Sequence, residues 1–334
     1  MRPTLVQKVL LVLLIDVVLL LVGATGLELY LRLRGVPPYL RTYPGQYQDQ
    51  PGRAPWLQAD QYFGWISNKT RSGINPQGFR DPTDFDILPT SANSGRVMIL
   101  GDSFMWGPYV EVSATVAQQL QRLLGTDYQI LNLGVPGWGI DQMYLAYLKY
   151  MAALQPKIVV LAYIDEDVAR VLEAYRAEAG MTKPSFSIIS GRLVLREAHA
   201  GPSSLSALMG KSILASRIAE SVYRLTVARS IVCKIFETIG SDTASRGIRF
   251  AVMRIPTRER SGLGARVAWH QTGFEGCVAS GGGQYLDPLA DVMKVANWQD
   301  DFYVADGHTS AVGNRFFAQW LVGKVFEPIL RSSQ

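Results

Sequence analysis

Charge, cysteine and histidine are all scarce in this chain. Charged residues make up 18% of the 334, and the 33 lysines and arginines form no runs with aromatics between them. That excludes the basic stripe by which proteins grip a phosphate backbone, so no nucleic acid is expected as a partner. The net charge of +5 fits at most a weak attraction to anionic lipid or an acidic polymer. Two cysteines, Cys233 and Cys277, are too few for a zinc site and lack the CxxC spacing of a redox pair. Whether they pair with each other or stay as buried thiols is open from sequence. No internal repeat or low-complexity tract is present. What the chain has in quantity is apolar residues, 48% of the total, enough to bury one large core or two small ones.

The apolar residues are most concentrated near the N-terminus. From Val9 to Val22 every residue except Asp16 is Leu, Ile or Val, and the apolar character continues, broken by Glu28, to Leu33. As a helix, Val9 to Leu31 is roughly 34 Å long, which spans a bilayer core. Asp16 at mid-span costs about 3 kcal/mol, and thirteen Leu, Ile and Val at roughly 0.3 to 0.6 kcal/mol each outweigh it. Residues 1–34 are therefore expected to form a signal anchor, with the lipid bilayer as a partner through residues 9–31. Val22-Gly23-Ala24 also suits a cleaved signal peptide, although apolar residues run on past that point. Arg2 and Lys8 precede the span while Arg32, Arg34 and Arg41 follow it, so orientation rests on the short N-terminal tail staying inside.

Pro37, Pro38, Pro44, Pro51 and Pro55 make residues 35–60 an extended spacer. Beyond it come four short apolar runs: Val97 to Leu100, Gln129 to Leu133, Ile158 to Ile164 and Phe250 to Ile255. Runs this short and continuous suit strands buried on both faces of a parallel sheet. The intervals between them read as helices. Val112 to Leu124 places Val116, Leu120, Leu123 and Leu124 on one stripe before Gly125, and Tyr144 to Leu154 fills the next gap. The alternation predicts a doubly wound α/β fold over residues 61–330, with its active site at the C-terminal ends of the strands. Between Asp167 and Arg249 the alternation stops. A helical insertion is expected over about residues 171–245, with Leu214, Ile218, Val222 and Leu225 facing inward.

The first run leads directly into Gly101-Asp102-Ser103-Phe104. A serine just past a buried strand, beside a glycine that permits a tight turn, is presented at the sheet edge with backbone N–H groups nearby. The same serine could simply cap the next helix. Near the C-terminus stands Asp306-Gly307-His308; of the three histidines, His199 lies in the expected insertion and His270 in a loop-like stretch, which leaves His308, with an Asp two residues before it, as the best general-base candidate. Ser103 thus reads as a nucleophile, His308 as its general base and Asp306 as the group that orients the imidazole. Asp165 and Asp167 form a close acidic pair that also suits a metal or a glycosidase, but no further ligand stands at coordinating spacing. No metal and no cofactor are expected.

Gly101-Asp102-Ser103-Phe104 resembles the first block of the SGNH/GDSL hydrolase superfamily. Asn132-Leu133-Gly134-Val135-Pro136-Gly137, after the second strand, is similar to its second block, and Asp306-Gly307-His308 to its last. The family's acid and histidine are commonly one residue further apart; the shorter spacing resembles the alginate acetyltransferase branch and its membrane-anchored relatives. Asn75, Gly78, Phe79 and Arg80 are similar to a segment that precedes the catalytic domain in such relatives. The resemblance covers about residues 63–322, with 171–245 unaligned.

This resemblance implies a flavodoxin-like sheet and a serine esterase or O-acyltransferase acting on acetyl or other short acyl esters, and the expected membrane anchor points toward an envelope polysaccharide as the carrier. It implies a domain on the outer, periplasmic side of a bacterial inner membrane, and an oxyanion hole made by the N–H groups of Ser103 and Gly134. One departure stands out. The family's third block supplies an Asn amide to that hole, and here Glu166 occupies the matching position. A carboxylate accepts hydrogen bonds and repels an oxyanion, and losing one donor costs about 100- to 1000-fold in rate. The alternative implied is a non-catalytic binding or assembly protein of the envelope that keeps the fold.

Overall fold

The computed structural model describes residues 5–35, 56–86, 95–173, 175–176, 180–196, 212–216, 218, 224–258 and 273–328. His199, His270, most of the expected spacer and the middle of the expected insertion lie outside the described residues. The chain divides into two units, one made of residues 1–43 with 201–227 and the other of 44–200 with 228–334.

In the first unit, Leu5–Leu33 forms one helix of 29 residues. Its stretch Leu11–Leu33 has a mean hydropathy of 2.3 and leaves its apolar side chains exposed, so it is long and apolar enough to cross a membrane. Glu28 accepts hydrogen bonds from the N–H groups of Ile213 and Leu214 at 3.0 and 2.8 Å and from Ser212 Oγ at 3.1 Å. The carboxylate thereby caps the first turn of a second helical stretch. Among the described residues of this stretch Ile213 and Ser216, three apart, are buried, and Ile218, expected to face inward, is 56% exposed; Val222 and the Leu225 side chain lie outside the described residues.

In the second unit a hairpin of β1 (Leu57–Asp60) and β2 (Gly64–Ser67) precedes β3 (Gly95–Gly101), β4 (Tyr128–Gly134) and β5 (Ile158–Tyr163). Two small antiparallel hairpins follow, β6 (Tyr175–Arg176) with β7 (Met181–Thr182) and β8 (Ser185–Ile189) with β9 (Arg192–Arg196), before β10 (Arg249–Arg254) and β11 (Gln284–Leu286). The region read as a helical insertion thus begins with hairpins. It ends in the helix Arg229–Ser245, which covers the main sheet. β8 buries only Phe186 and β9 exposes four of its five residues, so neither shows the buried-and-exposed alternation that signals a strand.

The main sheet has the order β11-β10-β5-β3-β4 with every neighbouring pair parallel. Numbered by position along the chain, that is the 2-1-3-4-5 order of a flavodoxin-like doubly wound sheet, whose crevice opens between the first and third strands. Those strands are β3 and β5. Successive residues of β3 feed opposite cores: Met98 and Leu100 pack with the helices Ile140–Leu154 and Arg229–Ser245, while Val97 and Ile99 pack with Val116–Leu124 and Ala311–Leu321. Both faces are covered, which is why the strands read as continuous apolar runs. Cys233 and Cys277 form a disulfide, with Cα atoms 5.1 Å apart, that ties the helix Arg229–Ser245 to Glu275–Ser280.

Candidate active site

Strand β3 ends at Gly101, and the chain turns at once into a one-turn helix, Ser103–Trp106. Asp102 caps this turn by accepting the N–H of Phe104 at 2.9 Å, and Gly107 ends it at φ 73°, a left-handed conformation that favours glycine. Ser103 is held at the crevice with 2% of its surface exposed.

The partner residues come from a tight loop before the helix Ala311–Leu321. Val304 donates its N–H to the carbonyl of His308 at 2.8 Å, and Gly307 sits between Asp306 and His308 at φ 97°. That turn folds Asp306 back onto His308. Asp306 Oδ1 accepts the N–H of His308 at 3.0 Å, and Oδ2 lies 2.9 Å from Nδ1. The short spacing therefore works because one carboxylate grips both the backbone and the ring of the same histidine. Burial disfavours charge on Asp306, but the His308 N–H, the Tyr109 hydroxyl and His308 itself hold it below the usual carboxylate range. On the far side of the ring, His308 Nε2 lies 2.8 Å from Ser103 Oγ. The three residues singled out in the sequence form one continuous relay across 205 residues of chain.

The two remaining expectations meet a different geometry. The N–H of Gly134 donates to Oδ1 of Asn132 at 3.0 Å, a local turn that engages the group assigned to the oxyanion hole. Glycine is required there for another reason: a Cβ would meet Met105 Cβ and Trp106 N at 2.8 Å, so β4 packs directly on the turn that carries Ser103. Glu166 lies exposed in the short helix Asp165–Arg170. Its neighbours are committed to arginines, Asp165 to Arg254 at 2.7 Å and Asp167 to Arg170, so this acidic pair is two separate ion pairs.

Further residues, to which the sequence reading gave no catalytic role, surround the site. Arg170 bonds Asp102 Oδ2 and the Trp138 carbonyl at 3.1 and 3.0 Å. Asp167 is fully buried, and burial together with the Asp102 carboxylate pushes its acidity well down, against the pull of Arg170. Asn132 donates from Nδ2 to the Met105 carbonyl at 2.9 Å, and its N–H bonds Asp81 Oδ2 at 2.8 Å. Arg80 lies over the Trp106 ring, 4.7 Å from its centroid, and donates to the carbonyls of Trp106, Gly107 and Val110. Tyr109 stands with its ring centroid 5.6 Å from that of His308, and Phe104 at 5.1 Å. The β1–β2 hairpin braces the opposite wall: Trp65 Nε1 donates to the Pro136 carbonyl at 2.9 Å and Trp106 Nε1 to Ser67 Oγ at 2.8 Å.

No family model matches the chain, and no curated protein matches it. Among solved structures, one similar chain is TesA, with 15% identity over 70% of this chain and 98% of that one, at a TM-score of 0.44. The acetyl xylan esterase AlAXEase is similar at 13% identity, covering 69% and 100% with a TM-score of 0.44. A lipolytic protein of the G-D-S-L family from Veillonella parvula is similar at 10% identity, covering 70% and 98% with a TM-score of 0.43. At these values they stand beside the fold, which rests on its own strand order and direction.

Proposed function

We propose that this chain is a serine-dependent esterase or short-chain O-acyltransferase of the SGNH/GDSL type. The observation that carries the reading is the relay Ser103 Oγ–His308 Nε2 at 2.8 Å and His308 Nδ1–Asp306 Oδ2 at 2.9 Å, standing at the crevice of the sheet. His308 takes the proton of Ser103 as its oxygen attacks the ester carbonyl, and Asp306 stabilises the imidazolium that forms. His308 returns the proton to the departing alcohol. Water, or a sugar hydroxyl, then attacks the acyl-serine by the reverse path. The N–H of Ser103 is the oxyanion donor on this reading, with Gly134 and Glu166 contributing little.

The apolar helix Leu11–Leu33 and the disulfide support a membrane-anchored protein whose domain faces an oxidising, extracytoplasmic space. Acetyl or other short acyl esters on an envelope carbohydrate are the substrate class proposed. The occupied Gly134 N–H and the exposed Glu166 favour a second reading, a non-catalytic envelope protein that retains the fold. Turnover of p-nitrophenyl acetate by the full-length protein separates the two. Loss of about a thousandfold or more in folded Ser103→Ala supports the enzyme. Equal background rates in both proteins support the binding protein.

A further inference from the structure

The loop that follows the nucleophile's turn is held from both sides of a single residue. Arg80 donates to the carbonyls of Trp106 and Gly107, just before Pro108 and Tyr109, and to that of Val110 just after. Three backbone acceptors on one guanidinium, itself stacked on Trp106, leave the main chain at Tyr109 little freedom. The Tyr109 ring is nevertheless 56% exposed, so burial does not explain why the loop is fixed there. Its orientation does. The ring centroid lies 5.6 Å from that of His308 at an interplanar angle of 52°, and the hydroxyl is bonded to the Asp306 carboxylate.

We propose that Tyr109 is a positioning residue of the active site, linking the loop that carries the nucleophile to the loop that carries the acid and base. The inference rests on the esterase reading above. Asp306 already grips His308 through both oxygens. A further donor from the opposite loop fixes the rotation of that carboxylate, and with it the plane of the imidazole facing Ser103. It also draws negative charge away from the side of Asp306 that faces Nδ1. Without the hydroxyl, more charge faces the ring and the imidazolium is held more firmly. Charged groups near this relay include Asp102, whose Oδ2 is 3.4 Å from Ser103 Oγ, and Arg170 bound to it. Tyr109→Phe leaves both in place.

The test is steady-state kinetics of full-length Tyr109→Phe and Tyr109→Ala against wild type across pH, with p-nitrophenyl acetate as substrate. Tyr109→Phe is expected to lose about tenfold in kcat with KM within about twofold, and to move the acid limb of kcat/KM up by about half a pH unit. Tyr109→Ala, lacking the ring as well, is expected to lose more. An unchanged kcat and pH profile in Tyr109→Phe overturns the proposal, as does a change confined to KM, which makes Tyr109 a substrate contact. Failure of the wild type to show Ser103-dependent turnover instead overturns the esterase reading beneath it.

Discussion

Arg170 Nη1 lies 3.1 Å from Oδ2 of Asp102, the residue immediately before Ser103. The same side chain pairs with Asp167 and donates to the Trp138 carbonyl, so one cation joins the segments that follow β3, β4 and β5. Its side chain is 11% exposed, and those of Asp102 and Asp167 are 1% and 0%. Two carboxylates at that depth depend on their cation. Arg170→Ala is therefore expected to lower unfolding free energy by about 3–5 kcal/mol, measured by urea denaturation. A loss under about 1 kcal/mol would show that water or another group compensates the pair.

The disulfide gives a separate expectation. Cys233 and Cys277 are 44 residues apart, and closing a loop of that length in the unfolded chain is worth about 4 kcal/mol on the chain-entropy account. The Cys233→Ser/Cys277→Ser protein should be less stable by about 2–4 kcal/mol. Thiol titration of denatured wild-type protein, kept oxidised, should find no free sulfhydryl. Two titratable thiols would contradict the bond.

Much of the fold is legible in the sequence, and the illegible parts have physical causes. The run Val97 to Leu100 reads as a strand because β3 is covered on both faces, and the strand extends from Gly95 to Gly101. By contrast β11 is three residues, Gln284–Leu286, with no β-branched run to mark it. Ser103 and His308 stand out in the sequence because glycines mark their turns: Gly101, two residues before Ser103, where a Cβ would clash with the Met105 side chain, and Gly307 at φ 97° just before His308. Arg170 and Arg80 do not. Their partners lie 68 residues away at Asp102 and 26 to 30 residues away along the nucleophile's loop, distances that no local pattern reports. Gly134 shows a subtler limit: its position was legible, but the direction of its N–H is decided by the side chain of Asn132.

Asp81 gives the chain a pH dependence of known sign. Burial pushes this carboxyl up to about 6 from an ordinary value near 3.8, although the N–H groups of Asn132 and Thr83 oppose the shift. The folded state therefore holds the proton more tightly than the unfolded chain. The associated stability is fully present below the unfolded value and is lost as pH rises through about 6. A shift of that size corresponds to about 3 kcal/mol across the window. Thermal melts should show wild type losing stability from pH 4 to 6 relative to Asp81→Asn. Parallel curves for the two proteins would contradict the assignment.

The central claim is that Ser103 is a nucleophile activated by His308, and covalent labelling tests it most directly. Full-length protein treated with a fluorophosphonate, digested and sequenced by mass spectrometry should carry one adduct, on Ser103. Folded His308→Ala should label at least about 100-fold more slowly, and Ser103→Ala not at all, because serine and histidine act as one unit. An adduct on a different residue, or labelling of His308→Ala at the wild-type rate, would contradict the account.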